Sequence, residues 1–224
     1  MRHESLGGFG HTARSIAGSL LFIVGGGILM AIITAEALYP APYSTAKSDI
    51  SDLGGSRPPH SVILQPSATI FDFTMVVSGV LVIVAAYFVY RAFRRRASAI
   101  VIGLLGIGAL GVGIFPGNTG IHPNFALLTF TAGGLAAILT YQVLRPPFRY
   151  ISVVLGVIAL GMLILSVLGA PTPDGMGLLG NSSPVARLGR GGMERWVVYP
   201  VLLWLMGFGG YLLGTATGET GPAR

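Results

Sequence analysis

The sequence contains no cysteine in its 224 residues. A chain without cysteine forms no disulfide bond, carries no thiolate nucleophile and offers no thiolate ligand to a metal. Charge is scarce as well, because Asp, Glu, Lys and Arg make up 10% of the residues, whereas they make up about a quarter of a soluble domain. These residues are too few to cover the surface of a soluble globular domain, and that class is excluded.

Long apolar runs take the place of charge. Hydrophobic residues make up 52% of the chain, and its mean hydropathy is +0.74. A helix needs about 20 apolar residues to cross the hydrocarbon core of a bilayer. Six windows reach this length, namely 15–39, 67–90, 97–115, 123–143, 150–170 and 196–214. They predict an all-α integral membrane bundle of six transmembrane helices within residues 15–214.

The basic residues indicate an orientation in the cell membrane. They lie at the ends of predicted helices and not on one patch interleaved with aromatics, so no nucleic-acid partner is expected. The short loops "RAFRRRA" and "RPPFR" are basic, whereas loops 40–66, 116–122 and 171–195 are longer and mixed. Basic loops favour the cytoplasm. Tails 1–14 and 215–224 are then cytoplasmic, and the mixed loops are extracytoplasmic.

Four of the predicted helices place ionisable residues at the same outer boundary. Counting 1.5 Å per residue, Glu36 lies near the end of the first helix and Asp72 near the start of the second. His122 begins the fourth helix, and Glu194 with Arg195 begins the sixth. Ionisable side chains at membrane depth are functional candidates. The alternative is structural, since residues at a boundary also cap helices and interact with helix dipoles.

The polar stretch "SDISDLGG" holds two further carboxylates, Asp49 and Asp52. They share a face if the stretch forms a helical turn, and Gly54 and Gly55 would end that turn. One interpretation is a capped turn at the membrane interface. The other is a carboxylate pair for a cation such as Mg²⁺, which prefers oxygen ligands. The spacing leaves both open, and the metal content stays unknown.

His122 and the arginines also have two interpretations each. His122 precedes a proline beside Asn124, and its imidazole could relay protons near neutral pH or hydrogen-bond a loop. Arg190 lies in the glycine-rich segment "LGRGGMER" shortly before Arg195. Arginines there could bind phosphate or carboxylate bidentately, or they could balance the outer acids.

Glycines recur inside the apolar windows. "GIGALG" matches the dinucleotide-binding pattern G-x-G-x-x-G, but it lies within a predicted span and follows no strand. Small residues allow transmembrane helices to approach closely. We therefore interpret these glycines as packing positions, together with those of Gly25–Gly27, Gly133–Gly134 and Gly207–Gly210.

Three segments carry a family resemblance: "YPAPYSTAKSDISDLGG", "GIFPGNTGIHPNF" and "GGMERWVVYPVLLWLMGFGGYLLG". With six spans in the same order, they resemble the domain of unknown function 998 family of prokaryotic multi-pass membrane proteins. This likeness covers nearly the whole chain and implies an architecture without an established reaction. A shorter likeness, I-S-D-x-G after the first helix, is similar to the eukaryotic FRAG/DRAM/SFK membrane proteins, which are linked to lipid remodelling and lipid asymmetry.

The residues favour an intramembrane enzyme or lipid-handling protein. Its substrate would be an amphiphile, such as an isoprenoid or phospholipid, whose head reaches the outer interface. Asp52 and Glu194 would act as acid and base, while Asp72 and His122 would orient or relay. The expected substrate-binding residues are Arg195, Arg190, Asp49, Glu36 and Asn124.

Two other functions stay open. The first alternative is a non-catalytic module that binds lipid or a partner protein. The second is a small-solute transporter, which is less favoured because no span carries a charged residue at its midplane. The expected partners are membrane lipids and an amphiphilic small molecule, and the oligomeric state is unknown. We also expect residues 43–55 to fold over the mouth of the bundle.

Overall fold

The computed structural model describes residues 2–59, 61–168 and 187–217. These residues contain no strand, and they form six long α-helices and two 3₁₀ turns, at Ile50–Leu53 and Thr140–Gln142. The helices are α1 (Arg2–Ala37), α2 (Ser67–Phe93), α3 (Arg96–Ile114), α4 (His122–Leu139), α5 (Phe148–Leu168) and α6 (Gly189–Thr217). All six are long and apolar enough to cross a membrane, which confirms the predicted all-α class and helix number.

The helices pack as a ring of five with one helix outside. Each helix contacts the next one in the chain, α6 also packs against α1, and α4 also contacts α6. Helices α1, α2, α3, α4 and α6 thus enclose an interior, while α5 lies outside against α4 and α6. The α5 span has a mean hydropathy of 2.8 with 17% of it buried. Such a helix suits a position that faces lipid on most of its circumference.

Glycines bring neighbouring helices into close contact. A Cβ added to Gly79 of α2 would lie 2.5 Å from Leu110 N of α3, and one added to Gly106 would lie 2.8 Å from Gly79 O. Facing glycine pairs also occur at two other interfaces, Gly18 with Gly209 and Gly134 with Gly156. The packing interpretation of "GIGALG" is therefore confirmed. The same packing interpretation is wrong for Gly27 and Gly210, where an added Cβ meets nothing within 4 Å.

Two predicted boundaries differ from the structure. Residues 2–14 of the predicted N-terminal tail already belong to α1, which begins at Arg2. The last residues of predicted loop 171–195 belong to α6, which begins at Gly189. Outside the described residues lie 169–186, the larger part of that loop, and 218–224, most of the predicted C-terminal tail.

The glycine-rich start of α6 is helical because another segment packs on it. The backbone N–H groups of Gly191 and Gly192 donate to Ala46 O at 3.0 and 3.3 Å. A Cβ on Gly191 would lie 2.0 Å from Ser48 O. The glycines therefore admit the chain around residues 45–48 to the first turn of α6, where it accepts hydrogen bonds from N–H groups that have no partner within the helix.

Candidate functional site

A cavity lies inside the five-helix ring and is closed at one end by the turn Ile50–Leu53, which we call the roof. We call this end of the bundle, which carries residues 38–59, 61–66 and 115–121, the loop end. The cavity measures about 70 Å³, which is room for several waters. Its walls are mainly apolar and include Ile28, Met75, Ala109, Phe130, Val201 and Leu202. The polar side chains of its loop end are Ser51, His122 and Glu194.

The roof is the capped turn that was one of the two interpretations of "SDISDLGG". Asp49 N–H donates to Asp52 Oδ2 at 2.8 Å, and Asp52 N–H donates to Asp49 O at 3.2 Å. The Asp49 side chain is buried, and its Oδ2 contacts the guanidinium groups of Arg57 and Arg190. Among the described residues, no three His, Asp or Glu side chains are grouped as a metal site. Because Asp52 accepts from a backbone N–H and Asp49 contacts two arginines, the geometry favours the cap over a Mg²⁺ pair.

Asp52 is half-buried beside this turn. Burial raises the pKa of its carboxyl above the ordinary 3.8, and the charge of Asp49 adds to this, while the Asp49 N–H, Arg190 and Arg57 oppose it. The Asp52 carboxylate accepts a hydrogen bond from Asp49 N–H. The loop thus folds over the bundle mouth, but its Asp52 carboxylate is used to cap the roof.

Hydrogen bonds hold the roof to two helices. Ile50 N–H donates to Glu194 Oε2 of α6 at 2.5 Å. On the other side, Ser67 Oγ of α2 donates to Leu53 O at 3.2 Å. Because Glu194 also lines the cavity, its carboxylate connects the roof to the polar end of the interior.

Arg195 connects α6 with the end of α1 and with the segment before the roof. It is 8% exposed, and its Nη2 donates to Glu36 Oε1 and, at 2.9 Å, to the Tyr43 hydroxyl. Its Nη1 donates to the backbone oxygens of Thr45, Ser48 and Gly191 at 2.8, 3.1 and 2.9 Å. Both terminal nitrogens are therefore engaged within the protein. Arg195 and Glu36 form a clamp, and Arg195 has no terminal N–H left for a substrate.

Tyr43 belongs to the same clamp. Its hydroxyl accepts from Arg195 and donates to Asp49 O at 2.9 Å. Burial raises the pKa of the Tyr43 phenol, so the hydroxyl keeps its proton and can donate at neutral pH. The Tyr43 hydroxyl thus links the Arg195 clamp to the first residue of the roof cap.

His122 lines the cavity and has one ring nitrogen without a partner. The residue is 2% exposed, and its Nδ1 lies 2.7 Å from Phe115 O. Because a carbonyl only accepts, Nδ1 carries the proton, and in the neutral ring Nε2 is then an acceptor. Nε2 is buried without a hydrogen-bond partner. Of the two sequence interpretations, the bond to a loop is present at one nitrogen, and the other nitrogen stays free.

The other predicted residues lie around this cavity and do not line it. Asp72 has a buried Oδ1 without a hydrogen-bond partner, which packs so closely on Gly54 that an added Cβ would lie 2.2 Å away. Asn124 is exposed in the first turn of α4. Arg190 lies on Asp49, outside the roof. The structure thus brings His122 and Glu194 to the cavity and leaves Asp52, Asp72 and Asn124 outside it.

Three contributors were not among the predicted site residues: Ser51, Tyr43 and Arg57. Ser51 lines the cavity and is buried in the roof together with Ile50 and Leu53. A signal for it existed in the I-S-D-x-G string. Tyr43 and Arg57 had no such signal, since their partners are a backbone carbonyl and a carboxylate shared with Arg190.

These features define a class of protein, a multi-pass integral membrane protein with a cavity that is apolar along its length and polar at one end. A family model matches residues 23–211, and the chain belongs to that family, described as protein of unknown function (DUF998). The comparisons with curated proteins and with solved structures found no match. The first family resemblance is therefore confirmed, and the likeness to the FRAG/DRAM/SFK proteins stays a prediction.

Proposed function

We propose that this membrane protein binds an amphiphile, such as an isoprenoid or phospholipid, at its loop end. Part of the apolar chain would enter the cavity of about 70 Å³, and the polar head would lie near Ser51, His122 and Glu194. Sites for small molecules are mostly apolar with a few convergent polar groups, and the cavity has this composition. The basic loops at the opposite end favour an extracytoplasmic position for the site.

The observation that carries the proposal is the unpartnered Nε2 of His122. A buried acceptor without a partner destabilises a protein by about 1–3 kcal/mol, and this one belongs to a residue that lines the cavity together with Glu194. A hydroxyl or another donor in the head of a ligand would satisfy it. Packing alone gives no reason for leaving such a group at the end of an apolar cavity.

The same nitrogen favours a second candidate, acid–base catalysis on the bound amphiphile. Nε2 of His122 would accept the proton that the sequence assigned to a carboxylate pair, and Glu194 would be the acid in the same cavity. Asp52 is less suited, because its carboxylate caps the roof. If the protein is an enzyme, overexpression should change the lipid profile of the membrane, and a folded His122→Gln variant should abolish the change.

Filling the cavity tests the binding proposal. Ala126 of α4 lines it, whereas the adjacent Leu127 is 52% exposed on the outer face. We expect wild-type protein purified in detergent to retain an amphiphile, detected by mass spectrometry after solvent extraction. Ala126→Phe should lose most of it, and Leu127→Phe should retain it.

Thermal unfolding would show whether both variants are folded. If Ala126→Phe does not fold, Ala109→Leu is the second variant, because it fills the cavity from α3. Equal amounts of the same amphiphile in wild type and in a folded cavity-filling variant would contradict the proposal.

A further inference from the structure

Two exposed arginines share one buried carboxylate at the outer surface of the roof. Arg57 Nη2 lies 3.0 Å and Arg190 Nη2 lies 2.6 Å from the same oxygen, Asp49 Oδ2. Their side chains are 54% and 61% exposed, whereas that of Asp49 is 6% exposed. Because both contact one oxygen, the two guanidinium groups are neighbours.

This pair has unused binding capacity. The two guanidinium groups interact with the carboxylates of Asp49 and Asp52, so the unused capacity lies in their N–H donors. Each guanidinium carries five N–H donors, and one nitrogen of each contacts Asp49. The buried Asp49 carboxylate needs a charged partner, which one arginine supplies, and both arginine side chains stay more than half exposed. Arg195 differs, because both of its terminal nitrogens are engaged by protein oxygens.

The arginine pair adjoins the polar end of the cavity. Asp49 directly precedes Ile50, whose N–H is bonded to the cavity residue Glu194, and Ser51 lines the same end. Beneath the roof lies the unpartnered Nε2 of His122, in a residue that is 2% exposed. A head group bound by the two arginines would therefore lie on the outer side of the roof, and its apolar chain would pass the edge of the roof to enter the cavity.

We infer that Arg57 and Arg190 bind a phosphate group in the head of the ligand, so that the ligand is a phosphate-bearing amphiphile. This rests on the proposed function and narrows its substrate class. Arginine binds phosphate through parallel N–H···O bonds that a hydroxyl head cannot form. The phosphate of a soluble compound would form the same hydrogen bonds with arginine. The experiment therefore compares a phosphate-bearing lipid with inorganic phosphate.

Three probes test the inference on purified protein in a neutral detergent: short-chain phosphatidic acid, diacylglycerol with the same chains, and inorganic phosphate. Binding is followed by the rise in thermal unfolding temperature during titration. Phosphatidic acid should half-saturate wild type at a concentration about tenfold lower than diacylglycerol, the scale expected of charge-assisted hydrogen bonds. Inorganic phosphate should bind far more weakly than phosphatidic acid.

The variants assign the preference to the arginine pair. Arg57→Gln and Arg190→Gln should each bring phosphatidic acid close to diacylglycerol, and Arg57→Lys should keep part of the preference. Arg145→Gln makes the same charge change at an exposed position at the opposite end of the bundle, and it should keep all of it. Wild-type preference in folded Arg57→Gln and Arg190→Gln proteins would overturn the inference.

The remaining outcomes separate this inference from the proposed function. If wild type binds both amphiphiles equally and Ala126→Phe blocks both, the phosphate inference is overturned and the proposed function stands. If wild type binds neither amphiphile, the phosphate inference is overturned, and the proposed function is decided by the amphiphile that the purified protein retains. If inorganic phosphate binds as well as phosphatidic acid and depends on the same arginines, the site takes a soluble anion, and the amphiphile class is overturned.

Discussion

Arg195 shows how a single side chain can join distant parts of this chain. We expect Arg195→Gln to lower the free energy of unfolding by about 3 kcal/mol, because removing one partner leaves the other charge of a buried pair uncompensated. That partner, Glu36, is 19% exposed. Arg57→Gln breaks a pair whose arginine is 54% exposed, and it should change stability by less than about 1 kcal/mol. Denaturant unfolding in micelles measures both.

A second substitution checks the cause of that loss. Glu36→Gln should lower stability less in the Arg195→Gln protein than in the wild type. In the Arg195→Gln protein, this substitution removes the Glu36 charge that has lost its partner. Equal effects of Arg195→Gln and Arg57→Gln would show that the Arg195 clamp does not stabilise the fold.

Asp52 gives the roof a dependence on pH. Burial raises the pKa of its carboxyl in the folded state above the ordinary 3.8. The folded state then binds more protons than the unfolded state in the interval between the two pKa values, so this group lowers stability as pH rises through that interval. The measured quantity is the difference in unfolding temperature, Asp52→Asn minus wild type. We expect this difference to increase as the pH rises above 3.8 and then to level off. A difference that decreases over this interval would mean that the ionised carboxylate is favoured in the roof.

Helix interfaces depend on the glycines that face each other. Gly79→Ala places a Cβ 2.5 Å from the backbone nitrogen of Leu110, so α2 and α3 must separate. We expect a loss of about 1–3 kcal/mol, as for other overpacked sites. Gly161 of α5 has nothing within 4 Å of an added Cβ, and Gly161→Ala should be neutral or should stabilise by up to about 1 kcal/mol. Equal effects in thermal unfolding would refute a packing role for Gly79.

The elements could be predicted to different degrees from the sequence. The six spans were predictable because a bilayer requires about 20 apolar residues in each. The cap of the roof was predictable as an alternative, since Asp49 and Asp52 have capping spacing. The helical start of α6 was not, because its glycines are tolerated only through contacts with Ala46 and Ser48, and backbone carbonyls leave no signal in a sequence.

The candidate site shows the same limit. Depth counting placed Asp52, Asp72, His122 and Glu194 at one level, and they do lie at one end of the bundle. Depth does not determine which way a side chain faces, so only His122 and Glu194 of these four line the cavity. The position of α5 outside the ring had only a weak signal: its span is the most apolar of the six described spans, but hydropathy does not show which faces contact helices.

The basic loops predict the orientation of the whole molecule in the membrane. In this cysteine-free chain, single cysteines can be introduced at the exposed positions Ser61, at the loop end, and Ala97, at the opposite end. In intact cells an impermeant thiol reagent should label Ser61→Cys, and it should label Ala97→Cys only after the membrane is opened. The reverse pattern would move the candidate site to the cytoplasmic side.

The contact between α1 and α6 also determines when the site can exist. A ribosome delivers a membrane protein from its first residue onward, and early segments can begin to fold before late ones are made. Glu36 precedes its partner Arg195 by 159 residues, and Ile50 precedes Glu194 by 144. Ring closure, the clamp and the attachment of the roof to α6 all await the sixth helix. A nascent chain that has inserted α1 to α5 therefore holds Glu36 without its arginine, and the cavity is completed only when α6 has been added.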